Sequence, residues 1–229
     1  MTTNRSSIGR RSVLRATAAS LGAAMITTAA SACAPDETNA PMPDETKTTP
    51  GPGHRGRFLL AYFSRAGENY YYGGRTDLEI GNTEVLAGMI SNLMSCDVHR
   101  IEAADPYPES YDATVARNVR EQNADARPAI ANPLPAIDAY DTVLLASGIW
   151  NVRAPMIMTT FAESYDFTGK TIYPITTYAM SGTGNTVRDY ARSCPGATVR
   201  QGFAVQGEKV RDAGPTIRTW LQRNGLLKT

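Results

Sequence analysis

Hydrophobic runs and amphipathic segments alternate along the chain from residue 57 onward. Phe58–Phe63 is a continuous apolar run, as expected of a strand that is buried on both faces, and Thr142–Ala146 is a second central strand. This pattern predicts strands at 58–63, 97–103, 142–146, 171–178 and 198–205. It predicts helices at 82–94, 109–126, 155–162, 186–192 and 214–224. We expect Asn82 or Thr83 to cap the first helix and Gly225 to cap the last.

The alternation of strands and helices predicts an α/β fold, with a parallel sheet covered by helices on both faces. Five strands and five helices fit a doubly wound sheet. The second helix is polar, with Tyr111, Val115 and Val119 as a thin apolar stripe. Doubly wound sheets bind ligands beyond the carboxyl ends of their strands, so we expect the chemistry in the loops that follow the strands.

The first 32 residues have the pattern of an export signal. Arg10 and Arg11 form a twin arginine, and Ala16–Ala32 consists mostly of Ala, Thr, Ser and Gly. This stretch is too short and too weakly apolar for a membrane-spanning helix, which needs about 20 strongly apolar residues. A charged start, an apolar middle and a small-residue end are typical of export signals, and the twin arginine resembles signals of the twin-arginine route. A buried N-terminal helix is the alternative.

Cys33 directly follows the small residues Ala30-Ser31-Ala32. This arrangement resembles a bacterial lipoprotein processing site, in which the cysteine is acylated and becomes the new N-terminus. Ordinary signal cleavage is the alternative. Residues 33–56 then form a flexible, Pro-rich tether, and residues 57–229 form the folded domain. The sequence thus predicts an exported protein, lipid-anchored to the outer face of the cytoplasmic membrane.

Composition and charge narrow the classes of function. The chain has 229 residues, 42% of them hydrophobic, which suffices for one packed domain. Its formal net charge is +1, and the four arginines of residues 1–32 account for the positive sign. We therefore expect no nucleic-acid partner. Three cysteines and two histidines, one of which lies in the tether, predict neither a metal site nor a histidine-based triad.

Three loops carry candidate binding residues. Ser64-Arg65-Ala66 follows the first strand and Gly81-Asn82-Thr83 opens the next helix, where hydroxyls and free N–H groups suit a phosphate. Ser147–Pro155 follows the central strand and contains Trp150, an aromatic residue that can flank a planar ring. Thr177–Gly184 adds a second aromatic residue and a Gly-rich turn. These loops meet at one sheet edge and describe a site for a mononucleotide with a planar ring.

On these residues the domain resembles the flavodoxin-like family, and in particular its long-loop branch. The family's first loop has the form Ser-Arg-Thr-Gly-Asn-Thr. Ser64-Arg65-Ala66 and Gly81-Asn82-Thr83 match its two ends, with Gly67–Ile80 inserted between them. The long-loop branch carries Gly-Glu-Asn-Tyr and Gly-Asn-Thr-Glu-Val, as Gly67–Tyr70 and Gly81–Val85 do here. The resemblance implies non-covalently bound FMN on a five-stranded parallel sheet of order 2-1-3-4-5.

The resemblance also implies roles for individual residues. One group holds the phosphate, and two groups line the two sides of the isoalloxazine ring. The residues are Ser64, Arg65, Ala66, Asn82 and Thr83 at the phosphate; Ile149, Trp150, Asn151, Val152 and Arg153 on one side of the ring; and Thr177, Tyr178 and Gly182 on the other. Ala66 stands where the family has a Thr, which removes one hydroxyl donor. Asn151-Val152-Arg153 replaces the commoner Trp-Trp-Gly, so the ring-flanking role on that side rests on Trp150.

Two further expectations depend on this resemblance. A cation at Arg153 would stabilise the negative charge of reduced flavin and make the flavin easier to reduce. The alternative is that Arg153 pairs with a surface carboxylate. In the strand order 2-1-3-4-5, Cys96 and Cys194 precede strands at opposite edges of the sheet, too far apart for a disulfide, so we expect two free thiols.

The function implied is that of an FMN-binding protein for electron transfer, or for flavin-dependent reduction of a small acceptor such as a quinone. No side chain stands out as a general acid or base, and the flavin would supply the chemistry. Two alternatives remain open: a deazaflavin-dependent hydride-transfer reductase, and a flavin-free lipoprotein that binds a ligand at the cell surface. The sequence does not indicate which redox partner is used.

Overall fold

The computed structural model of the protein describes residues 57–227. The predicted signal segment 1–32, the lipidation site Cys33 and the tether 33–56 lie outside the described residues. Within the described part, no helix combines the length and hydrophobicity that a membrane span needs.

Apart from two short strands within residues 67–78, strands and helices alternate in the order that the hydrophobic pattern predicts. The strands are β1 (Phe58–Tyr62), β2 (Gly67–Tyr71), β3 (Gly74–Leu78), β4 (Asp97–Arg100), β5 (Thr142–Gly148), β6 (Thr171–Tyr178), β7 (Thr198–Val199) and β8 (Phe203–Gln206). The helices are α1 (Asn82–Leu93), α2 (Tyr111–Asn123), α3 (Met156–Glu163), α4 (Thr186–Ser193) and α5 (Gly214–Arg223). A 3-10 helix, Gly207–Asp212, joins β8 to α5.

The main sheet is parallel throughout and has the order β4-β1-β5-β6-β7, with β8 also paired to β6. Counted by position, this is the order 2-1-3-4-5, which confirms the predicted doubly wound α/β fold. The fifth position was predicted as one strand but is split into β7 and β8. Pro174 of β6 has no N–H for a neighbouring strand, and a Cβ on Gly202 would lie 2.1 Å from the Pro174 oxygen. The ladder is therefore interrupted between the two short strands.

Both faces of the sheet are covered. Because side chains alternate along a strand, Leu59 of β1 faces α3, where it joins the core around Phe161. Leu60 faces the other way, into the core formed with Leu86 of α1 and Ile217 of α5. All five of these side chains are buried, with at most 1% exposure. The continuous apolar run of β1 thus serves two cores at once.

The sequence predicted the caps of two helices, and one of the two differs from the expectation. Gly81, not Asn82 or Thr83, is the N-cap of α1, and the Ser64 hydroxyl accepts a hydrogen bond from the Glu84 N–H at 3.1 Å. A residue from the preceding loop therefore does the work of the cap. Gly225 follows α5 in the left-handed region at φ +69°, as predicted for a helix C-terminus.

The insertion between the two predicted phosphate segments is a β-hairpin. β2 and β3 pair antiparallel as a separate two-stranded sheet, and the turn at Tyr72 and Gly73 has φ of +43° and +88°. Positive φ at both turn residues is typical of the tight turns that join hairpin strands. Cys96 is half-buried just before β4 and Cys194 is buried at the end of α4, and both are free thiols.

Candidate functional site

A cleft of about 430 Å³ opens at the carboxyl ends of β1, β5 and β6. This is the point where the strand order reverses, and its volume is within the range of small-molecule sites. The loops after these strands, the hairpin, α2 and the 3-10 helix all contribute to its walls. The lining includes Phe63, Ser64, Arg65, Asn69, Tyr70, Asn82, Thr83, Tyr111, Thr114, Val115, Asn118, Val119, Gly148, Ile149, Trp150, Asn151, Thr177, Tyr178, Ala179, Gly207 and Glu208.

One end of the cleft is the N-terminus of α1. A Cβ on Gly81 would lie 2.3 Å from the Ser64 hydroxyl and 2.5 Å from the Arg65 carbonyl oxygen, so only glycine allows this close approach. The first turn of α1 is thereby brought against the loop after β1, with its N–H groups at the cleft. A helix N-terminus of this kind favours an anion. At the cleft floor, the hydroxyls of Thr83 and Thr177 are 2.8 Å apart and buried.

The Arg65 guanidinium is engaged with backbone. It donates to the Pro108 carbonyl at 3.1 Å, to the Glu109 carbonyl at 2.8 Å and to the Glu68 carbonyl. Burial lowers the pKa of Arg65, although an arginine stays charged in any accessible pH range. The side chain lines the cleft, but its hydrogen bonds tie the hairpin to the segment before α2.

The loop after β5 contains a strained turn. The Trp150 N–H donates to the Arg153 carbonyl at 2.8 Å, and the two residues between them, Asn151 and Val152, have φ of +52° and +64°. Turns of this type favour Asn-Gly, and a β-branched residue at positive φ is sterically disfavoured. Strain of this kind persists only where surrounding contacts hold it in place.

Contacts from other elements hold this turn. Gln122 of α2 donates to the Trp150 carbonyl at 3.0 Å, and its own side-chain oxygen accepts from the Asn151 amide at 3.0 Å. The Val152 carbonyl accepts from the Asn185 N–H at 2.8 Å. The turn is therefore fixed from α2 on one side and from the loop after β6 on the other.

The Trp150 ring is supported by a partly buried aromatic residue and a largely buried ion pair. It packs edge-on against Tyr107, with ring centroids 5.0 Å apart. The Tyr107 hydroxyl donates to the Glu121 carboxylate at 2.8 Å, and Arg117 pairs with the same carboxylate at 2.7 Å. Burial and the hydrogen bond to Glu121 raise the pKa of Tyr107. The phenol therefore stays a hydrogen-bond donor and keeps the support of Trp150 in one geometry.

Nine of the thirteen predicted site residues line the cleft, and Ala66, Val152, Arg153 and Gly182 do not. Val152 is half-exposed. Arg153 forms an ion pair with Asp189 at 2.9 Å, with both side chains largely buried. The sequence alternative named a surface carboxylate, whereas Asp189 is largely buried; the ion pair leaves the Arg153 charge balanced by a carboxylate. Whether the nine lining residues hold a cofactor stays a prediction.

The wall formed by α2 was not among the predicted site residues. Val115 and Val119 line the cleft and are 41% and 42% exposed. The most buried residues of the helix are polar: Thr114, Asn118 and Glu121 are at most 9% exposed, and the first two also line the cleft. The apolar stripe seen in the sequence thus faces the cleft. An apolar stripe on an otherwise polar helix was the sequence feature that could have identified α2 as a wall of the cleft.

The hairpin bridges the cleft walls and is attached at both ends. Near its base, the Glu68 carboxylate accepts from the Tyr111 N–H at 2.9 Å, at the start of α2. At its tip, the Tyr72 N–H donates to the Glu208 carboxylate at 3.0 Å, on the 3-10 helix. Among the described residues, no group of His, Cys, Asp and Glu side chains forms a metal-binding cluster.

The fold and the cleft together define a doubly wound α/β protein with a ligand site at the reversal of strand order. The flavodoxin family model matches residues 78–224, which is more than half of the 229-residue chain. The chain therefore belongs to the flavodoxin family.

Solved structures agree with this assignment. One is a protein from Bacteroides eggerthii DSM 20697 that is provisionally designated a flavoprotein. It is 27% identical to this chain and superposes with a TM-score of 0.60. The match covers 73% of this chain and 97% of the Bacteroides chain. A similar protein from Bacteroides uniformis ATCC 8492 is 26% identical, with a TM-score of 0.58. That match covers 73% of this chain and 98% of the other chain. Among curated proteins, none matches this chain.

Proposed function

We propose that the protein binds FMN in this cleft and transfers electrons through it. The observation that carries the proposal is one continuous cleft with an anion-favouring helix start at one end and two aromatic residues, Trp150 and Tyr178, in the loops after β5 and β6. The phosphate of FMN suits the first end and its planar ring suits the second. Membership of the flavodoxin family supports the same cofactor.

Bound FMN would supply one- and two-electron chemistry, and the chain would supply binding, orientation and access. Ser64 and the first turn of α1 would hold the phosphate. Trp150 and Tyr178 would flank the ring, and the hairpin would limit the entry of water. The Arg153–Asp189 pair lies outside the cleft lining, so we assign it to holding the loop after β5.

Binding can be read from tryptophan fluorescence, because the described residues contain one tryptophan in the cleft and one outside it. Titration of FMN into the apoprotein is expected to quench Trp150, so quenching persists in Trp220→Phe and is largely lost in Trp150→Phe. Trp220 lies on α5 and does not line the cleft. A visible spectrum of protein from its native host distinguishes FMN from a deazaflavin. A colourless protein that rejects added FMN would refute the proposal.

The proposed acceptor is a small, uncharged, apolar molecule such as a quinone. Half-exposed valines in a ligand cleft favour such a compound, because they offer apolar area and no charge. Reduction of a soluble quinone by the FMN-loaded protein is expected to show a raised KM in the double variant Val115→Thr/Val119→Thr. Val98→Thr is the matched control, since Val98 is half-exposed outside the cleft. Equal KM values in all three proteins would favour transfer to a protein partner instead.

We also propose that the protein is exported and anchored through a lipid on Cys33. The support is the twin arginine, the weakly apolar stretch and the small residues before this cysteine. Radioactive palmitate fed to the native host is expected to label the protein. Absence of label, or label that survives Cys33→Ala, would overturn the lipid anchor.

A further inference from the structure

The mouth of the cleft carries the two most exposed large hydrophobic side chains of the described residues. Met180, in the loop after β6, is 82% exposed, and Tyr72, at the hairpin tip, is 63% exposed. Tyr71, beside Tyr72, is 46% exposed. Exposed apolar side chains that gather in one place mark interaction sites, whereas single ones are common on any surface. We call these three side chains the mouth patch.

Hydrogen bonds bring the two parts of the mouth patch to the same place. The Tyr72 N–H donates to the Glu208 carboxylate at 3.0 Å, and Glu208 lines the cleft. Two residues earlier, the Gln206 amide donates to the Ala179 carbonyl at 3.5 Å, next to Met180. The hairpin tip and the loop after β6 are thus both attached to one short segment. The mouth patch therefore borders the opening through which a molecule would reach the cleft.

Two cations follow on the same segment. Lys209 and Arg211 are exposed, and neither forms a salt bridge in the part of the chain that the structure describes. Side chains three residues apart eclipse in a 3-10 helix, so Arg211 lies on the same side of this helix as Glu208. The acids of this segment are Glu208, which is engaged with Tyr72, and Asp212. The two cations are therefore available to an anionic partner.

The loops that carry the mouth patch hold no acid near it. Glu68 and Asp77 face each other at the base of the hairpin, whereas Tyr71 faces Gly74 at its tip. Residues 178–186 have no charged side chain. Tyrosines favour the headgroup level of a bilayer, and lysines and arginines are attracted to anionic lipids. A tyrosine-bearing apolar rim beside unpaired cations thus suits an anionic membrane surface.

We propose that the mouth patch binds the surface of an anionic lipid bilayer, with the cleft opening toward the lipid. In this orientation an apolar acceptor that is dissolved in the bilayer enters the cleft without crossing water. This use of the contact rests on the proposed function, whereas the contact itself needs no flavin. A protein docked on the mouth patch is the competing occupant, and the acid-free rim beside two cations favours lipid headgroups over it.

Tryptophan fluorescence can locate the mouth patch relative to the lipid. The whole chain is reconstituted with phosphatidylglycerol vesicles whose acyl chains carry bromine, which quenches tryptophan on contact. Tyr72→Trp places a reporter in the mouth patch and keeps the N–H that bonds Glu208. Val98→Trp is the matched control, because Val98 is 50% exposed on the edge strand β4 and does not line the cleft. Every variant has the same N-terminal segment, so an anchor would act equally on all of them.

We expect the fluorescence added by Tyr72→Trp to be largely quenched and that added by Val98→Trp to be retained, with the wild type as the background. Equal quenching of the two reporters, or none at position 72, would leave the mouth patch free of lipid. Either result overturns the proposal and favours a protein partner. Far-UV circular dichroism verifies that each variant is folded.

The role of the cations is tested in the Tyr72→Trp background. Lys209→Gln/Arg211→Gln is expected to shift the equilibrium from bound to released patch by roughly tenfold or more. Arg218→Gln/Arg223→Gln is the matched control, since both arginines are exposed on α5 and also lack an ion pair among the described residues. Equal effects of the two double variants would overturn a local contact with headgroups. FMN titration of the same proteins tests the proposed function separately, because the bromine readout is taken without flavin.

Discussion

The hydroxyl pair at the cleft floor allows a quantitative test of the structure. Thr83 lies in the first turn of α1 and Thr177 in β6, so their 2.8 Å hydrogen bond links these two elements at the cleft floor. The residues are 3% and 6% exposed. Thr83→Val leaves the Thr177 hydroxyl buried without its partner, which costs about 1–3 kcal/mol. Thr177→Val has the same effect in reverse. The double variant loses both polar groups and is expected to be little worse than either single variant.

Urea unfolding of the apoprotein, followed by far-UV circular dichroism, measures this coupling. A loss of about 2 kcal/mol with a denaturant slope of about 2 kcal/mol per molar lowers the midpoint by roughly 1 M urea. The coupling energy of the double-mutant cycle is then about 1–3 kcal/mol. Thr219→Val is the control, because Thr219 is exposed on α5 and bonds only within its own helix. Single effects that simply add in the double variant would show that the two hydroxyls are not coupled.

Two further predictions concern stability. Gly81→Ala is expected to destabilise the protein by about 1–3 kcal/mol and to weaken FMN binding, because the new methyl group clashes with the Ser64 hydroxyl and the nearby backbone. Gly88 of α1 has no neighbouring atom where a methyl group would lie, so Gly88→Ala should stabilise the protein by about 0.5–1 kcal/mol. Equal urea midpoints for the two variants would contradict this. Hydrogen bonds from Arg127 lower the pKa of Glu163, so this pair contributes stability above about pH 4.5 that is lost as the pH falls further. Glu163→Gln should therefore flatten the acid side of a stability–pH profile, and an unchanged profile would exclude the pair as its cause.

The fold could be predicted because buried strands appear in the sequence as runs of apolar and β-branched residues. The apolar run of β1 and the β-branched run of β6 lie where the pattern places them, and the predicted sheet order is confirmed. The hairpin was missed because its strands are short and half-exposed, so they carry no burial pattern. The split of the last strand was missed because it depends on the strand register. The register places Pro174, which has no N–H to donate, opposite the break between β7 and β8.

The site was predicted in outline and not in detail, since topology fixes which loops meet but not which side chains point inward. Trp150 and Tyr178 follow from strand ends, and both line the cleft. Val152 and Arg153 do not line it, because the tight turn after Trp150 directs them away. Glu208 lay beyond prediction, because it enters the cleft from a 3-10 helix after the last strand rather than from a loop with a binding motif.

The loops after β5 and β6 contact each other closely, so the conformation of each depends on the other. A Cβ on Gly184 would lie 2.3 Å from the Val152 carbonyl oxygen, and the Ile149 N–H donates to the Thr177 carbonyl at 2.9 Å. Neither loop therefore has an independent conformation. In protein engineering, a graft of only one of them from another flavodoxin would meet a steric clash or an unpaired backbone group. The two loops form one exchangeable module, and the natural variation of either is expected to be tied to that of the other.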